Sequence, residues 1–193
     1  MSAPTTTADQ QLARWERFRA GRNAALAADH GWLTLTSFQW LGPAPEPLEL
    51  VPGFWSTDGT SATLTAAAED GLTFVSSGEP VTGTYSETLQ DEESLNWVQY
   101  GGLDGTQVVV ELAMRADKYA IRTRDNGSAV YTEFSGVPTY PFNPEWVISG
   151  RFEAYENPVE VPIGTANPLV DGVHVSVGEV VFHGPGIAHE GRL

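Results

Sequence analysis

The spacing of apolar positions changes near Gly31. Before it, Leu12, Trp15, Phe18 and Leu26 recur at roughly helical intervals, and Thr7 with Gln10 has the spacing of a capping box. This predicts one amphipathic helix over about residues 8–28, ended by Gly31. A lone helix of that length is marginal in water, so Trp15 and Phe18 are expected to be buried against the rest of the chain. Arg14, Arg17, Arg19 and Arg22 fall on the polar face. They suit either docking on an acidic partner or pairing with the chain's own acidic surface.

Beyond Gly31 the period drops to two, in short runs punctuated by Gly, Pro, Asp and Asn. Candidate strands are 33–36, 62–66, 72–76, 83–88, 95–100, 107–114, 119–124, 130–134, 147–155, 159–163 and 173–182. Many short strands with little helix between them predict a mainly β fold, an antiparallel barrel or sandwich with an N-terminal amphipathic helix, and disfavour parallel α/β. The expected organisation is a helical arm over 1–30 and one β domain over 31–193. Residues 41–47, with prolines at 43, 45 and 47, read as a stiff connection.

The clearest hairpin spans 107–124. Val108, Val110, Leu112 and Met114 share one face, as do Tyr119, Ile121 and Thr123 on the returning strand. With Ala116-Asp117 as a two-residue turn, Arg115 opposes Lys118, Glu111 opposes Arg122, and Val109 opposes Arg124. Glu111 and Arg122 would then form a cross-strand ion pair.

Charge narrows the partners. Asp+Glu 25 against Lys+Arg 10 gives −15, a field that repels phosphate backbones and anionic lipid surfaces, so neither nucleic acid nor membrane is an expected partner. No run approaches the ~18 apolar residues of a membrane span, and the first residues lack a secretory pattern. A soluble, cytoplasmic protein is the expectation, and nothing in the sequence specifies its oligomeric state. The absence of cysteine removes disulfides, thiolate metal sites and a cysteine nucleophile.

Several motifs in order carry a resemblance. Gly31-Trp-Leu-Thr-Leu35 with Trp40-Leu41, Ala120-Ile-Arg-Thr-Arg-Asp125, Phe134 and Gly136 with Tyr140-Pro141, and Trp146 with Gly150-Arg-Phe-Glu153 together resemble a bacterial and archaeal family known as domain of unknown function 1684. The resemblance covers nearly the whole chain and implies no established activity. Members usually continue past the point where this chain stops. The resemblance therefore implies a C-terminal truncation and site residues in the segment beyond Leu193.

Residues with no periodic role concentrate between Tyr119 and Tyr155. Arg122, Arg124 and Arg151, with Asp125, offer planar forks suited to carboxylate or phosphate, and Arg122 and Arg124 point to one face of a strand. Their structural alternative is pairing of Arg122 with Glu111, with Asp125 opening the Asn126-Gly127 turn. Pro138, Pro141 and Pro144 fall every third residue, matching a polyproline turn that would present Tyr140, Phe142 and Trp146 rigidly. Those rings suit stacking on a planar ligand or plugging an open barrel end. Tyr140-Pro141 is also a candidate cis peptide.

Other chemistry is thinly represented. His174, His183 and His189 lack metal-ligand spacing, Asp91-Glu-Glu93 reads as an exposed acidic loop, and no Gly-x-Ser-x-Gly elbow is present. Neither a metal nor a cofactor is expected, and no catalytic residue is assigned. The expected function is a small-molecule-binding β protein that takes an anionic or planar ligand at Arg122, Arg124, Asp125, Tyr140, Phe142, Trp146 and Arg151. Its rivals are a hydrolase-type enzyme using Asp125 or His183 as general base, and a structural or assembly module.

Overall fold

The computed structural model describes residues 7–101, 105–164, 172–184 and 191–192. Its helices are α1 (Ala8–Leu26) and the short α2 (Ala129–Thr132). The strands are β1 (Leu35–Trp40), β2 (Glu46–Leu48), β3 (Val51–Thr57), β4 (Ala62–Ala66), β5 (Thr73–Phe74), β6 (Gly83–Glu87), β7 (Ser94–Gly101), β8 (Gln107–Arg115), β9 (Lys118–Asp125), β10 (Gly150–Ile163), β11 (Gly172–Phe182) and β12 (Gly191–Arg192). Every pairing among the described residues is antiparallel, so the mainly β class holds, and among them no sheet closes into a barrel.

The chain divides into two compact units: Asn23–Gly136, and Met1–Arg22 together with Val137–Leu193. This differs from an arm over 1–30 followed by a single β domain over 31–193. The β10–β12 sheet pairs only within itself, so it separates from the strands before it.

Unit Asn23–Gly136 is sandwich-like. A five-stranded sheet in the order β1-β9-β8-β7-β5 and a four-stranded sheet in the order β2-β3-β4-β6 share one hydrophobic core. Trp55 and Leu64 reach it from the smaller sheet, and Val98, Val110, Leu112 and Ile121 from the larger. Fully burying each such side chain contributes about 1.5–3 kcal/mol. The buried Tyr119 hydroxyl donates to the Thr60 carbonyl (2.9 Å) and accepts from the Leu89 amide (2.9 Å), which removes its desolvation penalty. Gly53, at φ +87, lets β3 approach the Leu64 side chain; a Cβ there would stand 2.8 Å from Leu64 Cδ1.

The β8–β9 hairpin has the register expected from its two-residue turn: Arg115 opposes Lys118, Glu111 opposes Arg122, and Val109 opposes Arg124. Other elements depart from the pattern. A strand is expected over 130–134, but α2 takes Ala129–Thr132, where the Ser128 hydroxyl caps the turn by accepting from the Tyr131 amide. A 3-10 turn over Trp32–Thr34 delays the first strand to Leu35. The proline-bearing β2 and β3 were not expected at all. β2 is an edge strand, and Pro52 precedes the β3–β4 ladder that starts at Phe54, so neither proline removes a needed donor.

In unit Met1–Arg22 with Val137–Leu193, the expected segments 147–155 and 159–163 merge into the single strand β10, which starts only at Gly150 and has a bulge between Ala154 and Val159. Its partner β11 keeps Gly178 where a Cβ would lie 2.5 Å from the Phe152 ring and from the Glu153 carbonyl. Val159, Val161, Val173, Val175 and Val177 stay exposed.

Helix α1 corrects an expectation. Its capping box is present, with Thr7 Oγ1 accepting from the Gln10 amide (3.3 Å) and Gln10 Oε1 accepting from the Thr7 amide (2.9 Å). Yet none of its residues is buried: Phe18 is 65% exposed and Trp15 half-buried. Steps of three residues drift by about 60° around a helix, so Phe18 leaves the side that Trp15 uses.

The hairpin turn itself is strained. Ala116 (φ 50) and Asp117 (φ 57) are both left-handed, as a type I′ turn demands, and neither is Gly or Asn. The double change Ala116→Asn with Asp117→Gly is expected to stabilise the protein by about 1 kcal/mol. A chemical-denaturation midpoint that stays put or falls would contradict this turn geometry.

Candidate functional site

The expected site residues separate into two groups, one in each unit. Arg122, Arg124 and Asp125 belong to β9; Tyr140, Phe142, Trp146 and Arg151 belong to the other unit.

On β9 the cations serve the chain's own carboxylate. Glu111 is only 4% exposed, and each of its oxygens meets one arginine. Oε1 lies 3.5 Å from Arg122 Nη1, while Oε2 accepts from Arg124 Nη2 (2.6 Å) and Nε (2.7 Å). Arg124 Nη1 donates onward to the carbonyls of His30 (3.1 Å) and Gly31 (2.9 Å). The Arg122 guanidinium lies 5.8 Å from the centroid of the Phe38 ring, and its buried Nε has no protein partner. Burial lowers the Arg122 pKa from its ordinary value, and the Glu111 carboxylate opposes that shift. Asp125 is a turn-former: its Oδ1 accepts from the Gly127 amide (2.7 Å) and the Thr106 hydroxyl (2.9 Å). The arrangement neutralises a buried charge, and the donors of Arg124 are largely occupied.

Arg151, on β10, is exposed and pairs with Glu153 two residues along the same strand. Glu153 also lies 3.4 Å from Arg192, which pairs with Glu179 as well.

The loop from Gly136 onward is built differently. Its prolines withhold donors, and Pro144 begins a 3-10 turn over Pro144–Trp146 whose N-cap, Asn143, accepts from the Glu145 amide (3.0 Å). The Tyr140-Pro141 peptide is trans. Tyr140 (92% exposed) and Trp146 (66% exposed) therefore project from a backbone held by proline rings and a cap rather than by sheet hydrogen bonds.

With Trp15 from α1, this loop forms a cleft of about 830 Å³ lined by Trp15, Tyr140, Pro141, Phe142, Trp146 and Val147, with Thr139 and Asn143 as its polar members. The Trp15 and Phe142 rings stand 5.8 Å apart between centroids, tilted at 51°. Arg19, one helical turn beyond Trp15, holds its guanidinium 5.1 Å from the Trp15 ring centroid and donates to the Val137 carbonyl (2.7 Å), joining helix to loop.

Trp15 and Arg19 were not among the residues expected at a site. Their spacing of four on a helix marks them as neighbours, but only the fold shows that the loop comes to that side of the helix. Tyr140, Phe142 and Trp146 do converge there.

Remaining candidates stay apart. His174 on β11 and His183 just after it are exposed; His189 lies outside the described residues. Among the described residues no group of three or more His, Asp or Glu is arranged to hold a metal. The acidic loop at 91–93 turns back on itself, with Glu93 accepting from the Gln90 amide (2.8 Å) and Asp91 from the Glu92 amide (3.0 Å). No helix among the described residues is long and apolar enough to cross a membrane. No family model, curated protein or solved structure matches the chain.

The Glu111 cluster yields a contrast in stability. Glu111→Gln leaves the half-buried guanidinium groups of Arg122 and Arg124 without their counter-charge and is expected to cost up to about 3–5 kcal/mol. Arg151→Ala, at an exposed pair, is expected to cost less than about 1 kcal/mol. Similar midpoints for the two variants in urea would refute the burial argument.

Proposed function

We propose that the chain binds a small planar ligand in the cleft of Trp15, Tyr140, Phe142 and Trp146. One observation carries the reading: Tyr140 and Trp146 stand exposed beside half-buried Trp15 and Phe142 on a proline-stiffened loop. Single exposed aromatics are ordinary, whereas several converging on one concavity form a stacking wall. The cleft volume lies in the range of small-molecule sites, and its lining is apolar with few polar groups, which suits a flat ring better than a sugar rich in hydroxyls. A backbone already restricted by proline loses little freedom on binding.

Anion recognition by Arg122, Arg124 and Arg151 is not part of this proposal, because each already faces a carboxylate of the chain. For the hydrolase reading, the Asp125 carboxylate accepts from Thr106 and Gly127 and adds to burial in raising the Tyr100 pKa, and no carboxylate is found beside His183 among the described residues. Membership of the family known by its unknown function, and a cytoplasmic setting, belong to the same proposal and rest on the motifs and composition alone.

The test is calorimetric titration with neutral planar aromatics, 2-naphthamide among them. Saturable binding is expected, weakened about tenfold by Trp146→Ala through loss of one stacking wall. The thermal midpoint should hardly move, since Trp146 is mostly exposed. No saturable binding by any member of the set would overturn the reading.

A further inference from the structure

We infer that the ligand of the aromatic cleft carries a carboxylate on its ring, and that Arg19 is the residue that receives it. The inference rests on the cleft being a ligand site, as proposed above, and adds the charge and chemical class of the ligand: an aromatic carboxylic acid.

A guanidinium has five N–H groups. Arg124 directs its groups at Glu111, His30 and Gly31, and Arg151 faces Glu153. Among the described residues Arg19 makes one hydrogen bond, to the Val137 carbonyl, and meets no carboxylate. It differs from Arg14, Arg17 and Arg22 on the same helix in being half-buried where those three are exposed.

Position supplies the second step. Trp15 is shared: it lines the cleft, and the Arg19 guanidinium lies over its ring. Val137, which Arg19 holds, comes two residues before Thr139, where the cleft lining begins. The guanidinium does not line the cleft itself but is held beside it, by a hydrogen bond to Val137 on one side and the cleft-lining Trp15 ring on another. A ring inserted against Trp15, Phe142 and Trp146 would place a substituent on that side of the cleft.

Charge selects the substituent. A cationic group would meet Arg19 and the like charges of Arg14, Arg17 and Arg22, which with Arg19 outnumber Asp9 and Glu16 on the helix together with Glu145 on the loop, whose carboxylate lies 3.5 Å from the Asn143 amide nitrogen. A carboxylate coplanar with its ring matches the planar fork and lets the ring stack at the same time. Because the Arg19 side chain is already held, binding would freeze little additional motion.

The experiment compares 2-naphthoate with 2-naphthamide, which share a ring system and differ in charge, by calorimetry at low salt on the whole chain. Wild type is expected to bind the naphthoate about tenfold more tightly. Arg19→Gln should bring the ratio of the two affinities close to one, even where loss of the Val137 bond weakens both probes, and Arg17→Gln should keep the preference. Arg19→Lys, which keeps the charge without the fork, should retain part of the preference and serves if the glutamine variant melts early. Equal affinity for the two probes in wild type, or a preference that survives Arg19→Gln, overturns the inference while the cleft reading stands. If neither probe binds, the cleft reading fails and this inference falls with it.

Discussion

A carboxylate with almost no access to water has to be neutralised by its neighbours, and Glu111 is that constraint in unit Asn23–Gly136. It sits on β8, in the middle of the larger sheet, and reaches two arginines of β9. Through Arg124 the same cluster grips the carbonyls of His30 and Gly31, just before the turn that feeds β1. One carboxylate therefore bears on the pairing of β8 with β9 and on the point where the chain enters the sheet. Ionic clusters of this kind add little net stability beyond what apolar side chains of the same volume would provide. Their effect here is discrimination: sliding the hairpin by one residue would turn Glu111 toward the core formed by Val110, Leu112 and Ile121, where no counter-charge waits.

The proline loop works by the opposite means. No buried charge or ladder holds it. Proline rings, the Asn143 cap and the Arg19 bond to Val137 do so instead. Rings held in this way can remain exposed without the backbone collapsing over them. Arginine plays two parts in one molecule: on β9 it is consumed by an internal carboxylate, and on α1 Arg19 ties the helix to the loop through Val137 and the Trp15 ring.

What could be read from the amino-acid order follows the range of the forces involved. The β8–β9 register was legible because alternation and a two-residue turn are local, and both point to the same pairing. The strands β2 and β3 were not, because a proline's tolerance depends on whether its strand lies at a sheet edge. Residues 130–134 were misread since a single hydroxyl, Ser128, outweighed the β preference of Val130 and Tyr131. At the candidate site, Tyr140, Phe142 and Trp146 were visible as a rigid aromatic run. That Arg122 and Arg124 would share one carboxylate was half visible, in the cross-strand pairing of Glu111 with Arg122. The contribution of Trp15 and Arg19 was hidden, being more than a hundred residues away along the chain from the loop they meet.

β10 carries a final consequence. It is fourteen residues long and lies at the edge of its sheet, with exposed Val159, Val161 and Ile163, the profile of a strand that recruits copies of itself into fibrils. The same strand holds Pro158 and Pro162, which cannot donate to an incoming neighbour, together with Glu153, Glu156 and Glu160, whose charges would stack against their own kind in any repeated array. The bulge between Ala154 and Val159 breaks the flat run that such stacking needs. A strand with so apolar a second half can thus stand at the edge of this sheet, because every few residues it denies a second chain a template.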